Sequence, residues 1–347
     1  RDPEMSRGLG DVYKRQGSGA AAAKDRKPAA DNMKVVVKPL ADGGEGTVEA
    51  LVEGMSGTYE YVPVTGPMGN PVKARYGILP DQTVVMEMAE ASGITLVKEP
   101  LNPWKAASTG VGEMILDAVQ KGCRKFIIGI GGSATTEGGI GMLSALGYDF
   151  MDENGDILPP VFASLEKVVQ IENNRVPEML KDCHFQIACD VTNPLCGVEG
   201  CVYVFGAQKG VKEEEKESMD RAMQSYAACM EKFTGKKFSE IPGTGAAGGL
   251  GFAFLWGLPN VELKPGIDIV LEAVGLASEL QDADIVVTGE GCLDFQTAMG
   301  KVPVGVAKAA KQYGCEVIAF AGSVTEEAIK CNCLLYTSPS PRDISGS

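Results

Sequence analysis

Four glycine-rich segments carry the residues best suited to chemistry. They read ADGGEGT (Ala41–Thr47), GIGGSATTEGG (Gly129–Gly139), GTGAAGGLG (Gly243–Gly251) and GEGCLDFQTAMGK (Gly289–Lys301). Glycine lets a backbone bend sharply and come close to a ligand. Loop amides beside a strand or helix end can then be aimed at an anion. One such loop is ordinarily a tight turn. Four of them, in a chain with 44 glycines and with acids in several, point to an enzyme that handles phosphate. Inside them lie Asp42, Gly43, Gly44 and Glu45; Gly131, Gly132 and Ser133, with the hydroxyls of Thr135 and Thr136; and Gly289, Glu290, Asp294, Gln296, Thr297 and Lys301.

Two further segments add to the inventory. Asp190 follows an apolar run and precedes Asn193-Pro194 in CDVTNPL, which places it at a sheet edge facing a crevice. A carboxylate there can hold magnesium or accept a hydroxyl proton. Lys209 in FGAQKG is a candidate counter-charge for phosphate or carboxylate, against the ordinary reading of a solvated lysine. Asp42 and Glu45 equally suit an Asx-turn followed by a helix-capping acid. Phosphoryl transfer fits the set, because its catalysis is mainly positioning and electrostatic stabilisation by amides, lysine, Mg²⁺ and a carboxylate near the acceptor hydroxyl. No G-x-x-x-x-G-K-[ST] string occurs, and GIGGSAT lacks the downstream acid of a dinucleotide loop.

The elements that must position these groups alternate between strand and helix. Lys34–Val37 predicts a strand feeding the first loop, and Thr47 a cap for a helix over Val48–Glu53. Thr58–Val64, Val72–Ile78 and Thr83–Met88 predict strands separated by turn residues. Ser108 or Thr109 caps a helix running to Lys121. Lys125–Ile130 predicts a buried strand that runs into the second loop, which opens a helix to Leu146. That order puts the loop at the carboxyl end of a strand, where open α/β sheets bind ligands. Phe185–Cys189, Ala283–Thr288 and Glu316–Phe320 predict further strands; Val211–Phe233, Val270–Leu280 and Ala298–Tyr313 predict helices, the first a solvated outer face. The fold class is α/β.

Bulk properties bound the answer. A length of 347 residues suggests about two domains. The net charge of −14 argues against nucleic acid or an anionic membrane surface as a partner. No apolar run is long enough to span a bilayer. The ten cysteines form no C-x-x-C pair and the only histidine is His184, so neither a zinc site nor a histidine triad is expected. Such scattered thiols suit a reducing cytoplasm. Ser6–Gln16 and Cys333–Asp343 resemble translations of one sequencing-library adapter on opposite strands. Residues 1–16 and 333–347 are therefore set apart from the fold, and the natural part is expected to be truncated at both ends.

The ordered motifs PLADGGEGTVEAL, VTGPMGNPV, GIGGSATTEGGIGML, DVTNPLCG, FGAQKG, GTGAAGGLGF and ADIVVTGEGCLDFQTAMGKVPVGVAKAAK resemble those of the bacterial glycerate kinase type 1 family, over about Val35 to Thr325. The resemblance implies ATP- and Mg²⁺-dependent phosphorylation of D-glycerate, commonly to 2-phosphoglycerate. It implies two α/β domains: a discontinuous Rossmann-like domain (17–70 and 275–332) with a second domain (71–274) inserted. Within the matching motifs, the loop inventory makes Asp190, Asp294, Lys301 and Lys209 candidate catalytic residues, and Asp190 and Glu290 candidate magnesium ligands. Asp42, Gly43, Gly44, Glu45, Gly131, Gly132, Ser133, Asn193, Gly289, Glu290, Gln296 and Thr297 become candidates for substrate or nucleotide binding. A homo-oligomer is allowed. Thr136-Glu137 stands where the family usually has Asn-Asp, and a PDSFKGS-like first loop is absent. The competing readings are a dinucleotide-dependent oxidoreductase and an inactive fragment of the kinase.

Overall fold

The computed structural model describes residues 34–98, 100–293, 302–324 and 336–339. The chain forms two compact units, Gly43–Ile269 and a discontinuous one made of Arg1–Asp42 with Val270–Ser347.

The central unit opens with α1 (Thr47–Gly54) and continues through β1 (Thr58–Thr65), β2 (Pro71–Ile78), β3 (Thr83–Glu87), α2 (Ala89–Ser92), α3 (Thr109–Gln120), β4 (Lys125–Gly129) and α4 (Ile140–Ala145). After them come β5 (Asp149–Met151), β6 (Gln170–Glu172), β7 (His184–Ala188), α5 (Cys201–Phe205), α6 (Lys216–Thr234), α7 (Ala246–Gly257) and β8 (Val261–Lys264). Its six-stranded sheet has the order β1-β2-β3-β4-β7-β8. The two hairpin pairings are antiparallel, and β3, β4, β7 and β8 run parallel. The parallel strands read as near-continuous apolar runs because both faces are covered. Phe126 and Phe185 pair in register on β4 and β7, and their rings stack at 4.8 Å. Both are almost fully buried, which stabilises the sheet centre by roughly 1.5–3 kcal/mol per ring.

In the discontinuous unit, α8 (Gly266–Ala273), which straddles the boundary in sequence, and α9 (Leu276–Leu280) precede β9 (Ile285–Leu293), α10 (Val302–Gln312), β10 (Glu316–Val324) and β11 (Tyr336–Pro339). The three strands form a parallel sheet ordered β11-β10-β9. Lys38 and Glu279 make an ion pair of 3.0 Å within this unit.

Several expectations need correcting. Residues 34–40 form no strand, and Val35 and Val36 are exposed. Strand β1 pairs with β2 along its whole length, and both fall in the unit Gly43–Ile269. The long charged helix α6 is not merely a solvated face: Met219, Met223, Tyr226 and Met230 recur on its buried side. The predicted helix over Val270–Leu280 is divided into α8 and α9 at Gly275, whose φ is +64°. Tyr336–Pro339, inside the segment that resembles adapter translation, pairs in parallel with β10.

Candidate active site

The carboxyl ends of the four parallel strands lie on one line. Glu87 is in register with Gly129, Gly129 with Ala188, and Ala188 with Lys264. Each strand therefore delivers its following loop to the same edge of the sheet, the place where open α/β sheets present ligand groups.

The first glycine loop lies across that edge. A Cβ on Gly43 would sit 2.6 Å from both the Ala188 Cβ and the Gly266 Cα, and one on Gly129 would sit 2.4 Å from the Gly43 carbonyl oxygen. Glycine is thus required at Gly43 by close packing as well as by its φ of +84°. Glu45 is exposed, and Asp42 and Gly44 are half-buried. Thr47 does not cap α1 as expected: its Oγ1 donates to the Gly44 carbonyl at 2.8 Å. The capping acceptor is Glu87, whose Oε1 receives the Val48 N–H at 3.0 Å. Burial raises the Glu87 carboxyl above the ordinary glutamate range.

The second loop leaves β4 with Gly131 and Gly132 exposed, then turns inward at Ser133. Packing does not require glycine at Gly131, where a Cβ would meet nothing within 4 Å, whereas Gly132 has a φ of +72°. Ser133 forms a β-bridge with Gly93, and Ala134 N donates to the Ser92 carbonyl at 2.9 Å. Behind the loop, Lys209 is 2% exposed. Its Nζ donates to Ser133 Oγ at 2.6 Å and to the Thr135 carbonyl at 2.7 Å. Desolvation pushes this amine down to about 8. Lys209 is therefore not a solvated surface lysine; it supports the loop from beneath.

Glu137, 1% exposed, closes the same loop. It accepts the N–H of Ser108 at 3.1 Å and that of Gly141 at 3.2 Å, so the starts of α3 and α4 share one carboxylate. Ser108 does not cap its own helix; its Oγ accepts the Met142 N–H at 2.9 Å. Burial drives the Glu137 carboxyl up to about 7, against the pull of these bonds.

The third glycine loop proves to be a packing device. Ala247, Gly248 and Gly249 at the start of α7 all have left-handed φ values. A Cβ on Gly248 would lie 2.1 Å from the Thr135 carbonyl oxygen, and Gly138 N donates to the Gly248 carbonyl at 2.9 Å. Here glycine permits one backbone to lie on another, with no ligand required.

After β7, Asp190 is exposed and its Oδ1 accepts the Gly266 N–H, the first amide of α8, at 2.9 Å. Asn193 uses its Nδ2 to hold the Glu199 carbonyl at 2.8 Å, and its own carbonyl accepts from Gly245 N at 2.9 Å. From the central unit, then, Gly43, Gly44, Glu45, Gly131, Gly132, Ser133, Asp190 and Asn193 all come to the loops at one sheet edge, with Lys209 behind them.

Gly289 and Glu290 lie in β9 of the discontinuous unit, opposite Phe320 and Ala321. Strand β9 continues five residues past the predicted end at Thr288. A Cβ on Gly289 would sit 2.5 Å from the Phe320 carbonyl oxygen, so close strand packing explains this glycine. Asp294, Gln296, Thr297 and Lys301 lie outside the described residues. Among the described residues no group of three or more His, Cys, Asp or Glu side chains converges as a metal cluster. Magnesium needs only one or two carboxylates when phosphate and water complete its shell, and the exposed oxygen-bearing side chain of Asp190 is of that type. An open groove of about 470 Å³ lies elsewhere, lined by Val64, Thr65, Glu113 and Leu116 among others, and includes no site candidate.

Glu87 and the structural use of Glu137 were not legible as parts of a site. The available signals were an acid ending the buried run Val84–Met86, and the acid inside the second loop.

Comparison with known proteins agrees with this geometry. The family model described as the glycerate kinase family matches residues 15–335. A glycerate kinase of Bacillus subtilis strain 168 is 45% identical over 267 residues, covering 76% of this chain and 70% of that protein. A glycerate 2-kinase of Escherichia coli K12 is 44% identical over 266 residues, with the same 76% and 70% coverage. A crystal structure from Salmonella typhimurium LT2, provisionally named glycerate kinase 2, superposes with a TM-score of 0.82 at 41% identity, covering 93% of this chain and 84% of that one. No helix among the described residues is long and apolar enough to cross a membrane. A parallel-strand edge bearing these loops in this order, together with similarity across most of the chain, establishes that the chain belongs to the glycerate kinase family.

Proposed function

We propose that this enzyme transfers the γ-phosphoryl group of ATP to the 2-hydroxyl of D-glycerate. The single observation that carries the reading is the aligned strand edge, where backbone loops at Gly43 and Gly131–Ser133 and the carboxylate of Asp190 are presented together. The 44% identity to a relative named glycerate 2-kinase supports 2-phosphoglycerate as product.

In the proposed reaction the glycerate oxygen forms a bond to the γ-phosphorus, the bond from that phosphorus to the bridging oxygen of ADP breaks, and the hydroxyl proton leaves to a carboxylate. Asp190 is the first candidate for that carboxylate and Asp294 the second. The amides of Gly131 and Gly132, with the Ser133 hydroxyl, hold an oxyanion. Asp42, Gly43, Gly44, Glu45, Asn193, Gly289, Gln296 and Thr297 remain proposed contacts to substrate or nucleotide. Lys301 is the lysine proposed to meet phosphate oxygens, since Lys209 is screened by its loop. Asp190 or Glu290 would hold Mg²⁺, which would supply neutralisation of phosphate charge. The discontinuous arrangement, with an α/β domain inserted into a Rossmann-like one, belongs to the same proposal, as does a reducing cytoplasmic location.

Incubation with ATP, MgCl₂ and D-glycerate, followed by ³¹P NMR, tests the reading. The expected products are ADP and 2-phosphoglycerate; ADP release that ignores D-glycerate sinks the proposal, and 3-phosphoglycerate overturns its regiochemistry. Asp190→Asn sharpens the role. Asparagine keeps an oxygen for the Gly266 N–H but removes the base, so turnover should fall by about 10²–10⁴-fold with little change in melting temperature. Unchanged turnover removes Asp190 from the mechanism.

A further inference from the structure

Lys209 poses a question that phosphate contact does not answer. Its ammonium is buried, and none of the ion pairs found among the described residues includes it. Burying a cation outside any ion pair is costly, and the ammonium is offset here by hydrogen bonds to Ser133 Oγ and the Thr135 carbonyl and, through space, by the charge of Glu137 on the same loop. An ammonium has three donors and no lone pair. Ser133 Oγ therefore accepts from Lys209 and has to direct its own hydrogen elsewhere. Among the described residues no protein acceptor takes that hydrogen. The neighbouring Gly131 and Gly132 are exposed, and the space beside Gly131 is open.

We infer that Lys209 is a positioning residue that makes Ser133 an obligate hydrogen-bond donor to an oxyanion seated against Gly131–Ser133. The inference rests on the phosphoryl-transfer reading and deepens it. The lysine fixes the polarity of the hydroxyl, and its charge, one atom behind that hydroxyl, favours an anion in front. The recognised chemistry is a phosphate oxygen or a carboxylate oxygen, supplied by the nucleotide or by the hydroxy acid. Thr135, held by the same ammonium, keeps the loop from turning Ser133 away.

Calorimetric titration of the whole chain with ATP and, separately, with D-glycerate distinguishes the two sources. Ser133→Ala should weaken one of them about 10- to 100-fold, the loss expected for a hydrogen bond to a charged group, and Ser133→Thr should restore it. Lys209→Met should weaken the same ligand, raising its KM more than it lowers kcat, and adding Ser133→Ala should cause little further loss. Lys209→Gln, a neutral donor of similar reach, covers the case in which the methionine variant does not fold, and should give a smaller loss in the same ligand. Unchanged affinities for both ligands in Ser133→Ala, independent additive losses in the double variant, or binding of neither ligand by the wild type overturns the inference. Ser133-dependent binding without phosphoryl transfer to D-glycerate upholds it while refuting the proposed function.

Discussion

Glu137 holds two backbone amides 33 residues apart in sequence, one on each carboxylate oxygen. These bonds favour the ionised form, while complete burial opposes it, and burial prevails by raising the carboxyl to about 7. A group whose folded value is raised contributes stability that is fully present below its unfolded value, near 4.5 for this carboxyl, and lost as pH rises through 7. Lys209 has the opposite sign. Its folded value of about 8 lies below 10.5, so its contribution is present above 10.5 and lost as pH falls through 8, outside the glutamate's window. The melting temperature of the wild type minus that of Glu137→Gln should therefore fall by on the order of a few degrees between pH 4.5 and 7, then level off. Taking the difference removes the other carboxylates, such as Asp149 and Glu231, whose values are lowered. A flat difference would show that the two amide bonds keep Glu137 ionised throughout. The acid itself was visible in the glycine loop from sequence. Its partner Ser108 was not, because the contact is made by folding and leaves no local pattern.

At the scale of elements, the glycine loops divide by what each glycine permits. Gly248 needs its φ of +69° and has the Thr135 carbonyl 2.1 Å from where a Cβ would be. Gly131 has open space and no positive φ. Gly248→Ala should thus destabilise the fold by about 2 kcal/mol or more, through strain and overpacking, whereas Gly131→Ala should leave the melting temperature unchanged. Equal melting temperatures in thermal denaturation of the two variants would refute this division. Sequence alone could not make it, because a glycine that admits another backbone and one that admits a ligand look alike. The strands Thr58–Thr65 and Pro71–Ile78 were legible to within a residue, since turn residues bracket each. Strand β8 was not read: four residues, Val261–Lys264, are too few to show a period, and they are fixed by pairing with β7. The converse error at Lys34–Val37 has the same origin, as β-branched residues favour a strand only where a partner exists.

Over the whole molecule, charge sets the terms on which substrates arrive. The chain carries 32 Lys and Arg against 46 Asp and Glu, a net −14, and both proposed substrates are anions. Long-range repulsion must be overcome before the loop amides, the Ser133 hydroxyl or a lysine can act at short range. Salt separates the two regimes, since the Debye length shrinks from about 30 Å at 0.01 M to about 8 Å at 0.15 M. Contacts within the loops are shorter than either length and are little screened, whereas the field of the distant carboxylates is largely removed. At saturating ATP and fixed free Mg²⁺, kcat/KM for D-glycerate should therefore rise a few-fold as NaCl is raised across that range, with kcat nearly constant. A fall instead would mean that a local positive field governs capture from a distance, and that the acidic surface is turned away from the path of approach.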